Sequence, residues 1–192
     1  MSAYEYGILN KDLIDESDRL ELLDHCMTQY GTEIKRLVYA YVRNHADTDD
    51  VVQEVFITVY QKIDQFQHQS ELKSWIYRIA INKSKDHLRG FKHRQQRLKQ
   101  KLEQTFKKEA TNQQTPEQVS LQTEESKKLL VQVYQLPIKY KEVIILYYFE
   151  QLSVKEIADI LNINTNTIKA RLKRGRERLK EKIESDGGDQ HG

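Results

Sequence analysis

The stretch SVKEIADILNINTNTIKARLKRGRERL, Ser153 to Leu179, reads as two short helices joined by a tight turn, and it decides the fold class. Ser153 and Glu156 stand at capping-box spacing, where hydroxyl and carboxylate each satisfy an orphan backbone N–H. Ile157, Ala158, Ile160 and Leu161 form one apolar face of the first helix. Asn162 suits a left-handed cap, because its short polar side chain tolerates positive φ. Asn164 is placed to cap a second helix whose buried stripe is Ile168, Leu172 and Leu179, with small Gly175 between them.

The rest of that second helix is nearly all charge. From Lys169 to Lys182 there are eight cations against two acids, a net of +6, which a phosphate backbone attracts strongly. A lone basic helix is as readily a solvated face. The capped helix and turn in front of it shift the balance toward duplex DNA. Residues early in such a recognition helix reach base edges and later cations meet phosphates, which makes Lys169, Ala170, Lys173 and Arg174 the candidate readers.

Composition sets the frame around this element. In 192 residues there are two prolines and seven glycines, three of the latter within the last six positions, too few breakers for a many-turned β design. The expectation is an all-α chain of two small helical domains joined by a flexible linker, the C-terminal one holding the helix-turn-helix. The overall charge of +2 hides an uneven distribution: six acids and one Arg from Asp12 to Asp24, but ten cations and two acids from Lys83 to Lys108. Cys26 is the single cysteine and reads as a small buried hydrophobe. The N-terminus lacks a basic start followed by an apolar core, and no apolar run approaches the roughly 20 residues that span a bilayer, so a cytoplasmic, reduced protein is expected.

Upstream, Leu23, Met27, Tyr30, Ile34, Leu37 and Tyr41 recur at alternating four- and three-residue steps between about Arg19 and Arg43. Val52, Val55, Phe56, Val59, Ile63 and Phe66 supply a second stripe, and Leu72, Trp75, Ile76, Ile79 and Ala80 a third, enough to close a three-helix core. After His87 the pattern dissolves, and residues 94–116 read as the linker, partly helical at its start. The second domain begins near Glu117, with one helix carrying Leu129, Leu130, Val133 and Leu136 before Pro137, and another carrying Val143, Ile144, Leu146, Tyr147 and Phe149. The expected divisions are thus an extension 1–18, a domain 19–93, the linker, a domain 117–182 and a disordered tail 183–192. There is no internal repeat.

Three local patterns in this order resemble one family, the extracytoplasmic-function (ECF) group of bacterial RNA polymerase sigma factors, over roughly residues 20–182. DTDDVVQEVFITVYQKIDQF (Asp47–Phe66) is similar to the segment that docks on the β′ clamp helices of core polymerase. LKSWIYRIAINKSKDHLR (Leu72–Arg89) resembles the segment that recognises and opens the −10 element, and the helix-turn-helix resembles the −35 reader. The resemblance implies a promoter-specific initiation factor that also contacts the β subunit, is commonly held by an anti-sigma factor, and has no cofactor, metal, catalytic residue or small-molecule substrate of its own.

It also assigns roles. Asp47, Asp50, Gln53, Glu54 and Phe56 fall in the polymerase-docking segment. Helix N-terminal acids alone would be explained by the macrodipole. Capture of unstacked −10 bases needs aromatic surfaces, polar readers and cations. Phe66, Trp75, Tyr77, Arg78, Asn82, Lys83, Lys85 and Arg89 offer that mixture. By resemblance, Phe66 and Asn82 pocket a flipped base beside Asp86, with the loop Gln67–Ser70 bordering it; Trp75 is either core or a base platform. The −35 set is Asn166, Thr167, Lys169, Ala170, Arg171, Lys173, Arg174, Arg176 and Arg178. Asn162 stands where the family turn usually has Gly, and Gly175 where Ala is common, at a cost of about 1 kcal/mol in helix propensity.

Rival readings fare less well. A conventional helix-turn-helix regulator usually needs a dimer helix, and none is left over. An enzyme needs a metal-spaced His set, a phosphate loop or a nucleophile elbow, which the sequence lacks. A pure adaptor using the basic linker leaves the capped helix-turn-helix unexplained.

Overall fold

The computed structural model describes residues 16–63, Phe66, 72–102 and 124–188, and every regular element among them is helical. Two compact units divide near residue 114. The N-terminal unit packs α1 (Glu16–Val42), α2 (His45–Lys62) and α3 (Leu72–Leu102); the C-terminal unit packs α4 (Glu124–Tyr134), α5 (Ile138–Ile144), a π-helical turn (Ile145–Phe149), α6 (Val154–Leu161) and α7 (Thr165–Gly188).

In the N-terminal unit, Arg43 adopts φ 61° to leave α1, and the Asn44 side chain then accepts the Asp47 N–H at 3.1 Å to start α2. The core takes Ile34, Leu37, Val38 and Tyr41 from α1, Val51, Val55, Phe56 and Val59 from α2, and Ile76, Tyr77, Ala80 and Ile81 from α3. The first half of α1 departs from the expected stripe: Leu22 and Cys26 are buried, whereas Leu23 is half-buried and Met27 is 49% exposed. The flank bearing Leu23 and Met27 borders an open groove against α2. Tyr77, expected among the base-facing aromatics, is fully buried instead. It lies on the opposite side of α3 from Asn82, so it belongs to the packing.

Burial disfavours the Cys26 thiolate and pushes the thiol from an ordinary 9.0 up to about 11. Because the folded value lies above the unfolded one, its contribution to stability is full below pH 9 and is lost as pH rises toward 11. We expect negligible alkylation of native protein by iodoacetamide at pH 8, and rapid reaction in denaturant, read by intact mass.

In the C-terminal unit, Pro137 precedes α5, and the chain then widens into the π turn, where the Glu150 N–H donates to the Ile145 carbonyl at 3.1 Å. The extra residue shifts the phase of the helix, so that Tyr147, expected in the apolar set, is exposed together with Tyr148. Leu129 is likewise exposed, and Tyr134 takes the core place on α4. Buried Lys141 donates from Nζ to the Tyr134 carbonyl at 3.1 Å, satisfying an acceptor at the end of α4. The backbone of α3 stays helical to Leu102, in keeping with a linker that is partly helical at its start, whereas α7 continues to Gly188, through most of a tail expected to be disordered.

Candidate functional site

Local chemistry sets the helix-turn-helix. Ser153 Oγ accepts the Glu156 N–H at 3.2 Å while Glu156 Oε2 accepts the Ser153 N–H at 2.7 Å, a complete capping box. Asn162 sits at φ 54°, ψ 50°, the left-handed cap, and Asn164 Oδ1 accepts the Asn166 N–H at 2.7 Å to begin α7. Asn162→Gly should leave stability within a few tenths of a kcal/mol, whereas Asn162→Val, β-branched in a left-handed conformation, should cost about 1–2 kcal/mol in urea unfolding.

Ile168, Leu172 and Gly175 bury one side of α7, with Leu179 half-buried. Asn166, Thr167, Lys169, Ala170, Lys173 and Arg174 are exposed over its first three turns, on the side turned away from the core. The cations beyond them flank that surface and are engaged within the unit. Arg171 differs from its assignment most: its Nη1 donates to Glu142 Oε1 at 2.9 Å, the Glu142 side chain being 7% exposed and that of Arg171 27%. Arg171 is therefore a tie between α7 and α5 rather than an open phosphate contact, because leaving Glu142 would strip a buried carboxylate of this cation. Arg176 donates to the Tyr148 hydroxyl at 3.5 Å, Arg178 lies 5.3 Å from the Tyr140 ring centroid, and Lys182 donates to Gln135 Oε1 at 2.8 Å. Glu177 and Glu181 share the outward side of the helix farther along, which confines an attractive field to its first turns.

On α3, Trp75, Arg78, Asn82, Lys85, Asp86 and Arg89 recur at helical spacing on the side opposite the buried Ile76, Tyr77, Ala80 and Ser84. The Phe66 and Trp75 rings meet at 5.4 Å with 47° between planes, and both are half-exposed, so Trp75 is not a closed core residue. Asn82 is exposed two turns further, about 10 Å along the axis. Arg89 bonds Asp86 at 3.2 Å. The expected bordering loop Gln67–Ser70 lies outside the described residues.

The polymerase-docking candidates split. Asp50 and Gln53 are exposed on α2, while Asp47 lies 3.7 Å from His87 Nε2 and Glu54 3.6 Å from Lys83 Nζ, pairing α2 with α3. Such exposed pairs hold little, about 0–1 kcal/mol, and yield readily to a partner. Phe56 is buried, yet with Gln53, Leu23, Met27, Ile57 and Tyr60 it lines the apolar groove of about 580 Å³ between α1 and α2. Sequence reading missed this groove. Its signal was present in the apolar Leu20, Leu23, Met27 series, a flank distinct from the Leu22, Cys26 core line.

Among the described residues no helix is long and apolar enough to cross a membrane. The family descriptions "Sigma-70 region 2" and "Sigma-70, region 4" match residues 26–94 and 126–179. The chain is 33% identical over 159 residues to the ECF RNA polymerase sigma factor SigW of Bacillus subtilis, covering 80% of this chain and 84% of that one. It is 35% identical to RNA polymerase sigma factor SigV of the same organism over 80% and 86% of the two chains. The ECF RNA polymerase sigma-E factor of Haemophilus influenzae is 30% identical over 82% and 85%. In fold, the chain resembles the sigma factor RpoE co-crystallised with the anti-sigma factor NepR from Bartonella quintana, at TM-score 0.60 and 24% identity over 89% and 97% of the chains. It also resembles CnrH in complex with the cytosolic domain of CnrY, at TM-score 0.62 and 19% identity over 88% and 92%.

Proposed function

Because the chain belongs to the ECF RNA polymerase sigma factors, which are transcription initiation factors, we propose that it binds core polymerase and directs it to promoters through two separate DNA contacts. The observation that carries this reading is the outward surface of α7, where Asn166, Thr167, Lys169, Ala170, Lys173 and Arg174 stand exposed behind a fully capped turn. An exposed, rigidly entered helix of this chemistry suits the −35 major groove: lysine and arginine donors read guanine edges, and the Ala170 methyl meets a thymine methyl.

Residues 19–93 then act as the docking and −10 domain and residues 117–182 as the −35 domain. The half-exposed Phe66–Trp75 pair supports capture of an unstacked non-template base, with Asn82 as an amide reader and Arg78, Lys83, Lys85 and Arg89 tracking the backbone. Holding bases outside the stack shifts the duplex toward the open form, so binding energy performs the melting. The groove between α1 and α2, with Gln53 in its lining, suits the β′ clamp helices, by burial of an apolar face in an apolar cleft. Engaging both promoter elements from one polymerase scaffold gives avidity that neither small contact supplies alone. The work takes place in the cytoplasm, and an anti-sigma factor, as in the RpoE–NepR structure, is the natural inhibitor.

Run-off transcription with purified core polymerase on fragments of the source genome tests the reading. A specific transcript that depends on this chain is expected; no chain-dependent transcript refutes it. Asn82→Ala should alter base preference at one −10 position by about fivefold, a lost amide contact of order 1 kcal/mol, and an unchanged profile over four bases removes Asn82 from the site.

A further inference from the structure

Tyr140 lies on α5, opposite the basic face of α7, and no assignment made from the sequence gives it a role. Its ring is buried, with Arg178 at 5.3 Å and Lys139 at 5.1 Å from the centroid. Arg174 and Lys139 stand beside its hydroxyl. The close approach has a local cause: α7 carries Gly175 at the contact, and a Cβ there would lie 3.1 Å from Ile144 Cγ1 and 3.5 Å from Tyr140 Cβ. Gly175, which costs the helix some propensity, thus lets α5 settle close to the α7 backbone.

We propose that Tyr140 is a positioning residue for promoter reading, holding Arg174 and Arg178 of the recognition helix in a fixed, DNA-ready arrangement through its hydroxyl and its ring. This rests on the assignment of α7 as the −35 reader. The chemistry favours positioning over sequestration. A guanidinium lying over a ring keeps its N–H donors free at its edges, so Arg178 is steadied without losing its phosphate contacts. Arg174 gives one of five donors to the hydroxyl and retains the rest. Each arginine otherwise loses rotamer freedom when it binds DNA, and a side chain already held loses less. The charge around the hydroxyl is consistent with this. Burial pushes its pKa up, but Lys139 and Arg178, with the hydrogen bonds from Arg174 and Lys139, outweigh that and hold it below the ordinary phenol value.

The test uses the full-length chain bound to core polymerase. Wild-type holoenzyme first selects a −35 duplex from a randomised pool, and affinities of variants for that duplex are then measured. Tyr140→Phe, which keeps the ring and the fold, should bind about fivefold more weakly, the loss of one hydrogen bond to a charged group at a part-exposed site. The same change made in an Arg174→Ala background should alter affinity less than twofold, and in an Arg178→Ala background it should still show the fivefold loss. A general destabilisation would not distinguish these backgrounds. Base preference at the position lost in Arg174→Ala should also relax in Tyr140→Phe. Equal or tighter binding by Tyr140→Phe, or the same loss in the Arg174→Ala background, overturns the positioning role. Failure of the wild type to select any duplex overturns the −35 assignment itself, and this role with it.

Discussion

Replacing Arg171 by Ala is expected to lower the unfolding free energy of the C-terminal unit by about 2–3 kcal/mol, a larger effect on stability than any other cation of α7 should give. Removing one partner of a buried ion pair costs about 3–5 kcal/mol. Here the Arg171 side chain is 27% exposed, which moderates the loss, while the Glu142 side chain, 7% exposed, loses this cation in the interior. The chain has one tryptophan, Trp75, in the N-terminal unit, so the two halves can be followed separately. Urea unfolding of Arg171→Ala should move the far-UV dichroism transition to lower denaturant while the Trp75 fluorescence transition stays in place. Removing both charges, as in Arg171→Leu with Glu142→Leu, should recover most of the loss, since the buried carboxylate is then removed together with its cation. If Arg171→Ala unfolds like the wild type but loses −35 binding, Arg171 is a DNA contact and the tie to Glu142 is incidental.

The second large effect belongs to the α1–α2 groove. Ile57→Glu places a carboxylate on its apolar wall, and because Ile57 is 48% exposed the fold should be unaffected. Burying that charge under a polymerase helix costs several kcal/mol unless it finds a partner. Affinity for core polymerase should therefore fall at least thirtyfold, the loss of about 2 kcal/mol or more at a central interface position. Fluorescence anisotropy of the labelled chain titrated with core enzyme measures it. Substitution of Asn82, which does not line the groove, should leave that affinity unchanged. Undiminished polymerase binding by Ile57→Glu, with native dichroism, would remove the groove from the docking surface and leave exposed Asp50 as the alternative.

What could be read from the residues was local. The capping box at Ser153 and Glu156, the left-handed Asn162 and the Asn164 cap depend on side chains reaching backbone groups within four residues, and each forms as expected. The stripes of α2 and of α7 were legible for the same reason, periodicity being a property of one helix. Less of α1 was legible. Both Leu22 and Leu23, and both Cys26 and Met27, are apolar, so the sequence offers two adjacent faces, and only packing against α2 and α3 selects Leu22 and Cys26 for the core. Tyr77 and Trp75 show the same limit: two aromatics two residues apart must face different ways, and the neighbours decide which is closed off.

Charge was the least legible property. The eight cations of the α7 basic run look equivalent in one dimension. In three dimensions Arg171 binds a carboxylate 29 residues away, Arg178 lies over a ring 38 residues away and Lys182 meets an amide 47 residues away, while Lys169 and Lys173 remain on the open side. The π turn at Ile145–Phe149 is similarly silent in the sequence, since no residue type specifies it, yet it turns Tyr147 and Tyr148 outward.

The sequence by itself determined that the chain is helical, that it ends in a capped helix-turn-helix with a basic second helix, and which family it resembles, because caps, periodicity and motif order are encoded over short distances. Only the tertiary structure decided which flank of α1 becomes a groove, which aromatic on α3 meets solvent, and which cations of α7 stay on its open side. Each of those outcomes depends on a partner distant in the chain, and burial and Coulomb attraction act on distance in space, not on separation in sequence.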